Sequence, residues 1–349
     1  MHRAAPRDEI VLRYADPDEA LAGVRLHAEP FKRDPPRPFR RVNGGWELRL
    51  PRLDADRLEY LLELELPGGE RELVADPSAG AAPGPFGPRS ELLLAGYSPP
   101  AWTLAEAPAG DLRPLELPSP TLRTLVEGLL WSPPGSDPHE PLPLLVVHDG
   151  PEYAAYSELT RLLDVTVAKG ETPPLRAALL APPRRNEDYS ASARYALALA
   201  RDLLPALAER APAPPGRRFR AGLGASLGAL ALLHAHRRRP ETFGALFLQS
   251  GSFFRRPHDA LESGFPRFER IVRFVRTLRT EPPWPGRIPI VLTCGTAEEN
   301  LGSNRALAGA LAAQGYAVEL VETRDAHNWV SWRDALYPHL PTLLSRALA

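Results

Sequence analysis

The first third of the chain alternates apolar with charged residues. Residues 46–50 (WELRL) and 62–66 (LELEL) show this alternation, and a Pro-Gly-Gly turn follows the second stretch. Successive side chains of a strand point to opposite faces of a sheet, so the pattern predicts strands with one buried face. We therefore predict a small N-terminal β-sandwich domain over residues 1–115, with a loop rich in proline and glycine over residues 76–88.

From residue 116 onward, short apolar runs alternate with stretches of helical composition. The runs predict strands at Val126–Trp131, Leu144–His148, Leu175–Leu180, Phe219–Leu223, Ala245–Leu248, Ile288–Thr293 and Ala317–Val321. The stretches between them predict helices at Ala191–Arg210, Leu227–Arg238 and Ser303–Gln314. Nearly continuous apolar strands that alternate with helices are typical of a largely parallel sheet covered on both faces. Residues 116–349 are therefore predicted to form an α/β domain, in which residues 132–143 are the loop of an early hairpin.

Composition narrows the classes of function. The formal net charge is −1 and the arginines lie scattered among acidic residues, so a nucleic-acid partner is not expected. No apolar run is long enough to span a bilayer, and the N-terminal ten residues lack the apolar core of a signal peptide. Cys294 is the only cysteine, which excludes an intrachain disulfide. We expect a cytoplasmic protein with no membrane partner, and the sequence leaves a homo-oligomer open.

The segment GLGASLGAL (222–230) contains the pattern G-x-S-x-G, centred on Ser226. A predicted strand precedes it and a predicted helix follows, which is the context of a nucleophile elbow. Gly224, Ala225 and Gly228 supply the small neighbours that such a tight turn requires. The alternative is a glycine-rich strand-to-helix turn that happens to contain a serine, so Ser226 needs a base and an acid elsewhere in the chain.

His327 is the histidine best placed to serve as the base. It follows the last predicted strand, where doubly wound hydrolases carry the histidine in the order Ser, acid, His. His234 and His236 lie on the elbow's own helix, at least two turns from the serine, and His148 precedes the serine in the chain.

Two adjacent glutamates, Glu298 and Glu299, follow the predicted strand Ile288–Thr293 and are candidates for the acid. The acid would accept the far ring N–H of the histidine and hold its working tautomer. Asp325, two residues before His327, is a third candidate.

The chain has no metal-binding motif such as H-E-x-x-H and no cysteine cluster. Gly222-Leu-Gly224 lacks the spacing of a dinucleotide-binding loop. No metal or cofactor is therefore expected.

Several segments together resemble the enterochelin esterase-like branch of the α/β-hydrolases. They are residues 222–254 (GLGASLGALALLHAHRRRPETFGALFLQSGSFF), VVHDGPEY (146–153), CGTAEENLGSN (294–304) and RDAHNWVSWRDAL (324–336). Residues 41–53 (RVNGGWELRLPRL), 58–66 (LEYLLELEL) and the segment DPSAG…FGPRSELLL resemble that branch's early-set sandwich domain. The resemblance covers the chain from about residue 20 to the C-terminus.

This resemblance implies a doubly wound, mostly parallel sheet preceded by a β-sandwich. It implies a serine esterase with Ser226 as nucleophile, His327 as base and Glu298 as acid, because the family places the acid three residues after the glycine that is Gly295 here. The substrates implied are small-molecule carboxylic esters, which in that family include catecholate trilactone siderophores.

The oxyanion donors include one departure from the family pattern. The backbone N–H of Leu227 supplies the first donor, and the second comes from the loop after the early strand. In this chain Asp149-Gly150 is followed by Pro151, which has no N–H, so the second donor falls to Gly150 or Glu152. This departure keeps an alternative function open, a non-catalytic or weakly active hydrolase-fold binding protein.

Three residues are candidates for contacts with substrate. Trp329 and Trp332 flank the histidine and could line an aromatic pocket, or they could pack the final helix. Arg185 lies beyond a strand near the same sheet edge and suits an anionic ligand, or it pairs with Glu187 or Asp188. Residues 249–252 follow another strand at that edge and are predicted to form a turn beside the cleft.

Overall fold

The structure is a computed structural model that describes residues 9–32, 34–256, 258–281 and 286–348. The chain divides into two compact units. The first extends to Ser98 and also contains residues 295–299 and 324–328. The second contains residues 99–294, 300–323 and the chain from Trp329 onward.

The first unit is a β-sandwich of two antiparallel sheets. Its strands are β1 (Glu9–Ala15), β2 (Gly23–Ala28), β3 (Arg37–Pro38), β4 (Arg40–Val42), β5 (Gly45–Pro51), β6 (Arg57–Glu65), β7 (Arg71–Val74), β8 (Gly80–Ala82) and β9 (Arg89–Leu93). One sheet has the order β1-β5-β4, and the other has β3-β2-β6-β9-β8, with β7 also paired to β6. Leu12 and Leu50 of the first sheet share one buried cluster with Leu26 and Leu62 of the second. The alternating stretches therefore bury one face each, as predicted.

The second unit contains a mixed sheet. Its strands are β10 (Asp111–Ser119), β11 (Thr124–Ser132), β12 (Leu144–His148), β13 (Arg176–Leu180), β14 (Arg220–Ala225), β15 (Ala245–Gln249), β16 (Ile290–Gly295) and β17 (Val318–Thr323). Among the described residues their order is β10-β11-β13-β12-β14-β15-β16-β17. The pairings along β13-β12-β14-β15-β16 are parallel, and β10 and β11 are antiparallel.

Helices cover both faces of this sheet. They are α1 (Gly150–Tyr156), α2 (Leu159–Ala168), α3 (Arg185–Asp188), α4 (Ala193–Ala198), α5 (Leu204–Arg210), α6 (Leu227–Arg238), α7 (Phe268–Thr280), α8 (Leu301–Ala313), α9 (Trp329–Asp334) and α10 (His339–Leu348). Alternate residues of β12 enter different clusters: Val146 packs with the cluster of α6 and α7, and Val147 with that of α2 and α10. The predicted two-faced burial is therefore present. In the part of the chain that the structure describes, no helix is both long and apolar enough to cross a membrane.

The structure differs from the sequence prediction at two places in the early part of the second unit. The sequence predicts that residues 99–115 belong to the sandwich, but they lie in the second unit, where β10 pairs with β11. Residues 132–143 do not form a hairpin loop, because β13 lies between β11 and β12 in the sheet. The hairpin is instead formed by β10 and β11.

A core substitution tests the buried sheet. Phe247 on β15 is fully buried, so Phe247→Ala should lower the free energy of unfolding by about 3–5 kcal/mol through lost transfer energy and a cavity. Leu125 on β11 is half exposed, and Leu125→Ala serves as the control, with a loss below about 1 kcal/mol. Urea unfolding followed by circular dichroism measures both. Equal losses would contradict this packing.

Candidate active site

Ser226 occupies a strained turn between β14 and α6. Its backbone has φ 54° and ψ −120°, a conformation that L-residues rarely adopt. Its N–H donates to the carbonyl of Gln249 at 2.9 Å. A Cβ on Gly224 would lie 2.8 Å from the carbonyl carbon of Gly228, so the turn requires glycine at that position. The G-x-S-x-G pattern therefore forms a strand–turn–helix elbow.

The turn after β15 contacts the serine directly. Ser252 Oγ lies 3.0 Å from Ser226 Oγ, and the Ser252 N–H donates to the Ser226 carbonyl at 3.1 Å. The sequence predicted a turn at residues 249–252 but did not identify Ser252 as a partner of Ser226. The available signal was its position just after a strand that neighbours the elbow strand.

His148 contacts the first turn of α6, next to the elbow. It is fully buried, and its Nδ1–H donates to the Gly228 carbonyl at 3.1 Å, while Nε2 accepts from the Tyr195 hydroxyl at 3.0 Å. Its ring stacks on Tyr189 with 4.4 Å between centroids. Burial lowers the pKa of His148 to about 3, so the imidazole stays neutral. These contacts indicate that His148 stabilises the first turn of α6.

In the first unit, a hydrogen bond joins the partly exposed side chain of His327 to the buried carboxylate of Glu298. His327 Nδ1 lies 2.9 Å from Glu298 Oε2, and the Glu298 side chain is fully buried. Glu298 Oε1 accepts from the Gly295 N–H at 2.7 Å, which holds the carboxylate in the loop after β16. The carboxylate thus receives a ring N–H on one oxygen and a backbone N–H on the other.

Electrostatics favour the charged form of His327. Burial alone would lower its pKa, but the Glu298 carboxylate outweighs that effect and the pKa is raised above the usual 6.5. Glu29 acts in the same direction, and Lys32 opposes it. An imidazolium at this position is therefore stabilised, as the predicted role of His327 as a base requires.

The two other candidate acids bind cations. Lys32 Nζ donates to Glu299 Oε1 at 2.7 Å. Arg57 Nη1 donates to Asp325 Oδ2 at 2.9 Å. Among the candidates that the sequence left open, Glu298 is the one whose carboxylate the structure brings to His327.

The loop that begins at Asp149 is tightly constrained. Asp149 has φ 52°, and a Cβ on Gly150 would lie 2.2 Å from the Cα of Leu179. Pro151 lies in the first turn of α1, where the missing N–H breaks no helical hydrogen bond. Glu152 Oε2 is buried and has no hydrogen-bond partner among the described residues, and burial raises the pKa of this carboxyl.

Arg185 binds this loop with both arms of its guanidinium. Nε donates to Asp149 Oδ1 at 2.8 Å, and Nη2 donates to Oδ2 at 2.7 Å. The sequence alternative was an ion pair with Glu187 or Asp188. Those acids instead pair with other arginines, Glu187 with Arg267 and Arg270, and Asp188 with Arg184.

The two tryptophans differ in their environment. Trp332 is buried in the core, and its Nε1–H donates to Ser250 Oγ at 2.9 Å. Trp329 is half-buried and packs edge-to-face against Tyr153 and Trp332. Trp332 therefore acts in packing, and Trp329 keeps exposed surface.

The architecture is that of an α/β-hydrolase with an N-terminal β-sandwich, and solved structures share it. An enterobactin esterase of Shigella flexneri, determined in the presence of enterobactin, superposes with a TM-score of 0.78 at 21% identity, covering 99% of this chain and 95% of that one. The ferric enterobactin esterase of Salmonella typhimurium gives 0.79 at 20% identity, covering 97% and 94%. These likenesses confirm the predicted fold class.

Residues 119–343 match the model of the putative esterase family, and the chain belongs to that family. A curated relative, the iron(III) enterobactin esterase of Dickeya dadantii (strain 3937), is 27% identical over 227 residues. That match covers 60% of this chain and 49% of the relative, so it spans about half of the relative's length. These findings confirm the resemblance to enterochelin esterases and support hydrolysis of esters as the class of reaction.

Two glycine substitutions should have opposite effects on stability. Gly150→Ala forces a methyl group into the backbone of Leu179 and should destabilise the protein by about 1–3 kcal/mol. Gly309→Ala, on α8 with open space around it, should stabilise by about 0.5–1 kcal/mol because alanine favours helix. Thermal unfolding measures both, and a gain in stability from Gly150→Ala would contradict the close approach.

Proposed function

We propose that this protein is a serine esterase that cleaves a small-molecule carboxylic ester through Ser226, His327 and Glu298. The observation that carries the proposal is the 2.9 Å hydrogen bond between His327 Nδ1 and the buried carboxylate of Glu298. A carboxylate bound at Nδ1 fixes the tautomer and stabilises the imidazolium that forms when the serine proton is taken. The strained elbow at Ser226 and membership of the esterase family support the same assignment.

The proposed chemistry is acyl transfer in two halves. Ser226 Oγ attacks the ester carbonyl carbon while His327 Nε2 takes the hydroxyl proton, which gives a tetrahedral oxyanion. Collapse breaks the bond to the leaving alkoxide, which receives that proton from His327. Water then attacks the acyl-enzyme by the same route and releases the acid and Ser226.

The oxyanion requires donors that are in place before the reaction. Leu227 opens α6, so its N–H is one of the groups that an α-helix leaves without an intrahelical partner. We assign it as the first donor, as the family resemblance implies. The second donor falls to the N–H of Gly150 or Glu152, because Pro151 supplies none. The Arg185–Asp149 fork would hold that loop in position.

The relatives suggest the substrate class to test first. The Shigella flexneri structure was determined with enterobactin, and the Dickeya dadantii relative is named an iron(III) enterobactin esterase. We propose a siderophore trilactone or a related ester as the physiological substrate. Trp329 keeps exposed surface and is the proposed aromatic contact.

The alternative is a hydrolase-fold protein that binds a ligand without turnover. Pro151 favours it, because losing one oxyanion donor costs roughly 10²–10³ in rate. Covalent trapping distinguishes the two functions, since a fluorophosphonate labels an activated serine even when turnover is slow.

Ser226→Ala should remove both ester hydrolysis and covalent labelling by a fluorophosphonate. Hydrolysis of short-chain p-nitrophenyl esters should fall by at least about 10³-fold, and fluorophosphonate labelling at residue 226 should disappear in mass spectra. Ser345→Ala, at an exposed position on α10, is the matched control and should keep wild-type rates. Equal background rates and no labelling in wild-type protein would leave the binding protein as the better description.

The pH profile should report His327. The neutral imidazole is the base, and its pKa is raised by Glu298, so kcat/KM should fall as the pH drops through a midpoint above 6.5. Glu298→Gln removes the charge that stabilises the imidazolium, so the midpoint should move to lower pH and the plateau should fall. Glu209→Gln, exposed on α5, should change neither. An unshifted acid limb in Glu298→Gln would contradict the pairing.

A further inference from the structure

Arg57 is a guanidinium buried within the first unit. It is the first residue of β6, and its side chain has 0% relative exposure. Its hydrogen bonds go to carboxylates of the sandwich and of the loop that carries His327: Glu59 at 2.8 Å, Glu91 at 2.8 Å and Asp325 at 2.9 Å. A buried cation of this kind is tolerated only where charged partners surround it. Glu59 and Glu91 belong to the sandwich sheet. Asp325 belongs to the loop that carries His327, residues 324–328, which we call the base loop; the loop that carries Glu298, residues 295–299, is the acid loop.

Asp325 connects Arg57 to the backbone on both sides of His327. Its Oδ2 accepts from Arg57, while its Oδ1 accepts from the Ala326 N–H at 2.7 Å and from Asn328 Nδ2 at 3.0 Å. Arg57 Nη1 also lies 3.3 Å from Asn328 Oδ1. The residues immediately before and after His327 are therefore held by one carboxylate and one guanidinium.

The same aspartate connects the base loop to the acid loop. The Asp325 carbonyl accepts from the Ala297 N–H at 3.1 Å, one residue before Glu298. Gly295 lies so close that a Cβ there would be 2.3 Å from the Asp325 carbonyl oxygen. The separation of the two loops is thus set at Asp325, and that separation determines whether His327 and Glu298 can stay within hydrogen-bond distance.

We propose that Arg57 is a positioning residue for His327, through which the N-terminal sandwich holds the base and the acid in register. Arg57 touches neither substrate nor reacting atoms. It acts by neutralising and orienting Asp325, which fixes the backbone around the imidazole. The expected effect of Arg57 on catalysis rests on the proposed function. Its expected effect on the His327–Glu298 hydrogen bond is independent of that function.

Two variants and one control test the proposal. Asp325→Asn keeps the shape of the side chain but removes the charge that binds Arg57. Arg57→Lys keeps a cation beside Glu59 and Glu91 but lacks the fork that reaches several acceptors at once. Arg324→Gln is the control, because Arg324 lies on the same loop and forms exposed ion pairs with Asp54 and Asp56.

The kinetic readout is the split between kcat and KM for a p-nitrophenyl ester. A misplaced base should lower kcat by roughly 10- to 100-fold in both variants, with KM within about threefold of wild type. Arg324→Gln should stay within about twofold of wild type. A variant that carries both Asp325→Asn and Arg57→Lys should lose little more kcat than the worse single variant, because both changes break the same interaction.

The second readout needs no turnover. A proton NMR resonance of the His327 Nδ1–H reports the hydrogen bond to Glu298, and it should be protected from water exchange in wild type and in Arg324→Gln. In folded Asp325→Asn and Arg57→Lys it should broaden or vanish. If wild-type protein cleaves no ester, the proposed function fails, and this resonance alone still decides the positioning role.

Two outcomes would overturn the inference. One is a folded Arg57→Lys or Asp325→Asn protein with wild-type kcat, where the wild type is active, or with an unchanged Nδ1–H resonance. The other is an equal loss in Arg324→Gln, which would indicate general sensitivity of the loop. Thermal unfolding of each variant establishes that it is folded at the assay temperature.

Discussion

The turn at Ser226 imposes the constraint on which the rest of the second unit depends. A serine with φ 54° and ψ −120° is unfavourable by itself, so the surrounding structure must hold it. The Gln249 carbonyl binds the serine N–H, Gly224 allows the chain to fold back over the start of α6, and His148 holds the Gly228 carbonyl. Strain at one residue is thus balanced by buried contacts from β12, β15 and α6.

A buried amide extends this support across the sheet. Gln249 is fully buried, accepts from the Tyr153 hydroxyl at 2.8 Å, and donates to the Trp332 carbonyl at 3.0 Å. Gln249 therefore connects β15 to α1 and α9 by hydrogen bonds, and its backbone carbonyl also binds the Ser226 N–H. Buried polar groups are stabilising only when they are fully satisfied, so this network favours one arrangement of the three elements. Trp332 belongs to this support, and its ring is buried in the core.

Local patterns in the sequence predicted the elements but not the ion pairs. β12 and α6 have the predicted bounds, because an isolated apolar run and a glycine-led helical stretch are recognisable from neighbouring residues alone. The domain boundary predicted after residue 115 falls within β10, because the alternating burial of this strand resembles that of a sandwich strand and does not mark where the second unit begins. The partner of Arg185 could not be predicted, because Asp149 lies 36 residues away and is brought near only by the sheet order. Arg57 and Asp325 are 268 residues apart, and nothing in either segment indicates the other.

The placement of the acid and base loops gives the sandwich a mechanical role. Both loops leave strands of the second unit's sheet, β16 and β17, yet they belong to the compact unit that contains the sandwich. Backbone hydrogen bonds hold them there: the Asp56 N–H donates to the Arg324 carbonyl at 2.7 Å, and the Ala297 N–H donates to the Asp325 carbonyl at 3.1 Å. A change in the packing of β6 would therefore reach the backbone around His327 through the hydrogen bonds of Asp56 to Arg324 and of Arg57 to Asp325. An esterase built this way would lose catalytic geometry when its sandwich is disturbed, even with Ser226 and its elbow intact.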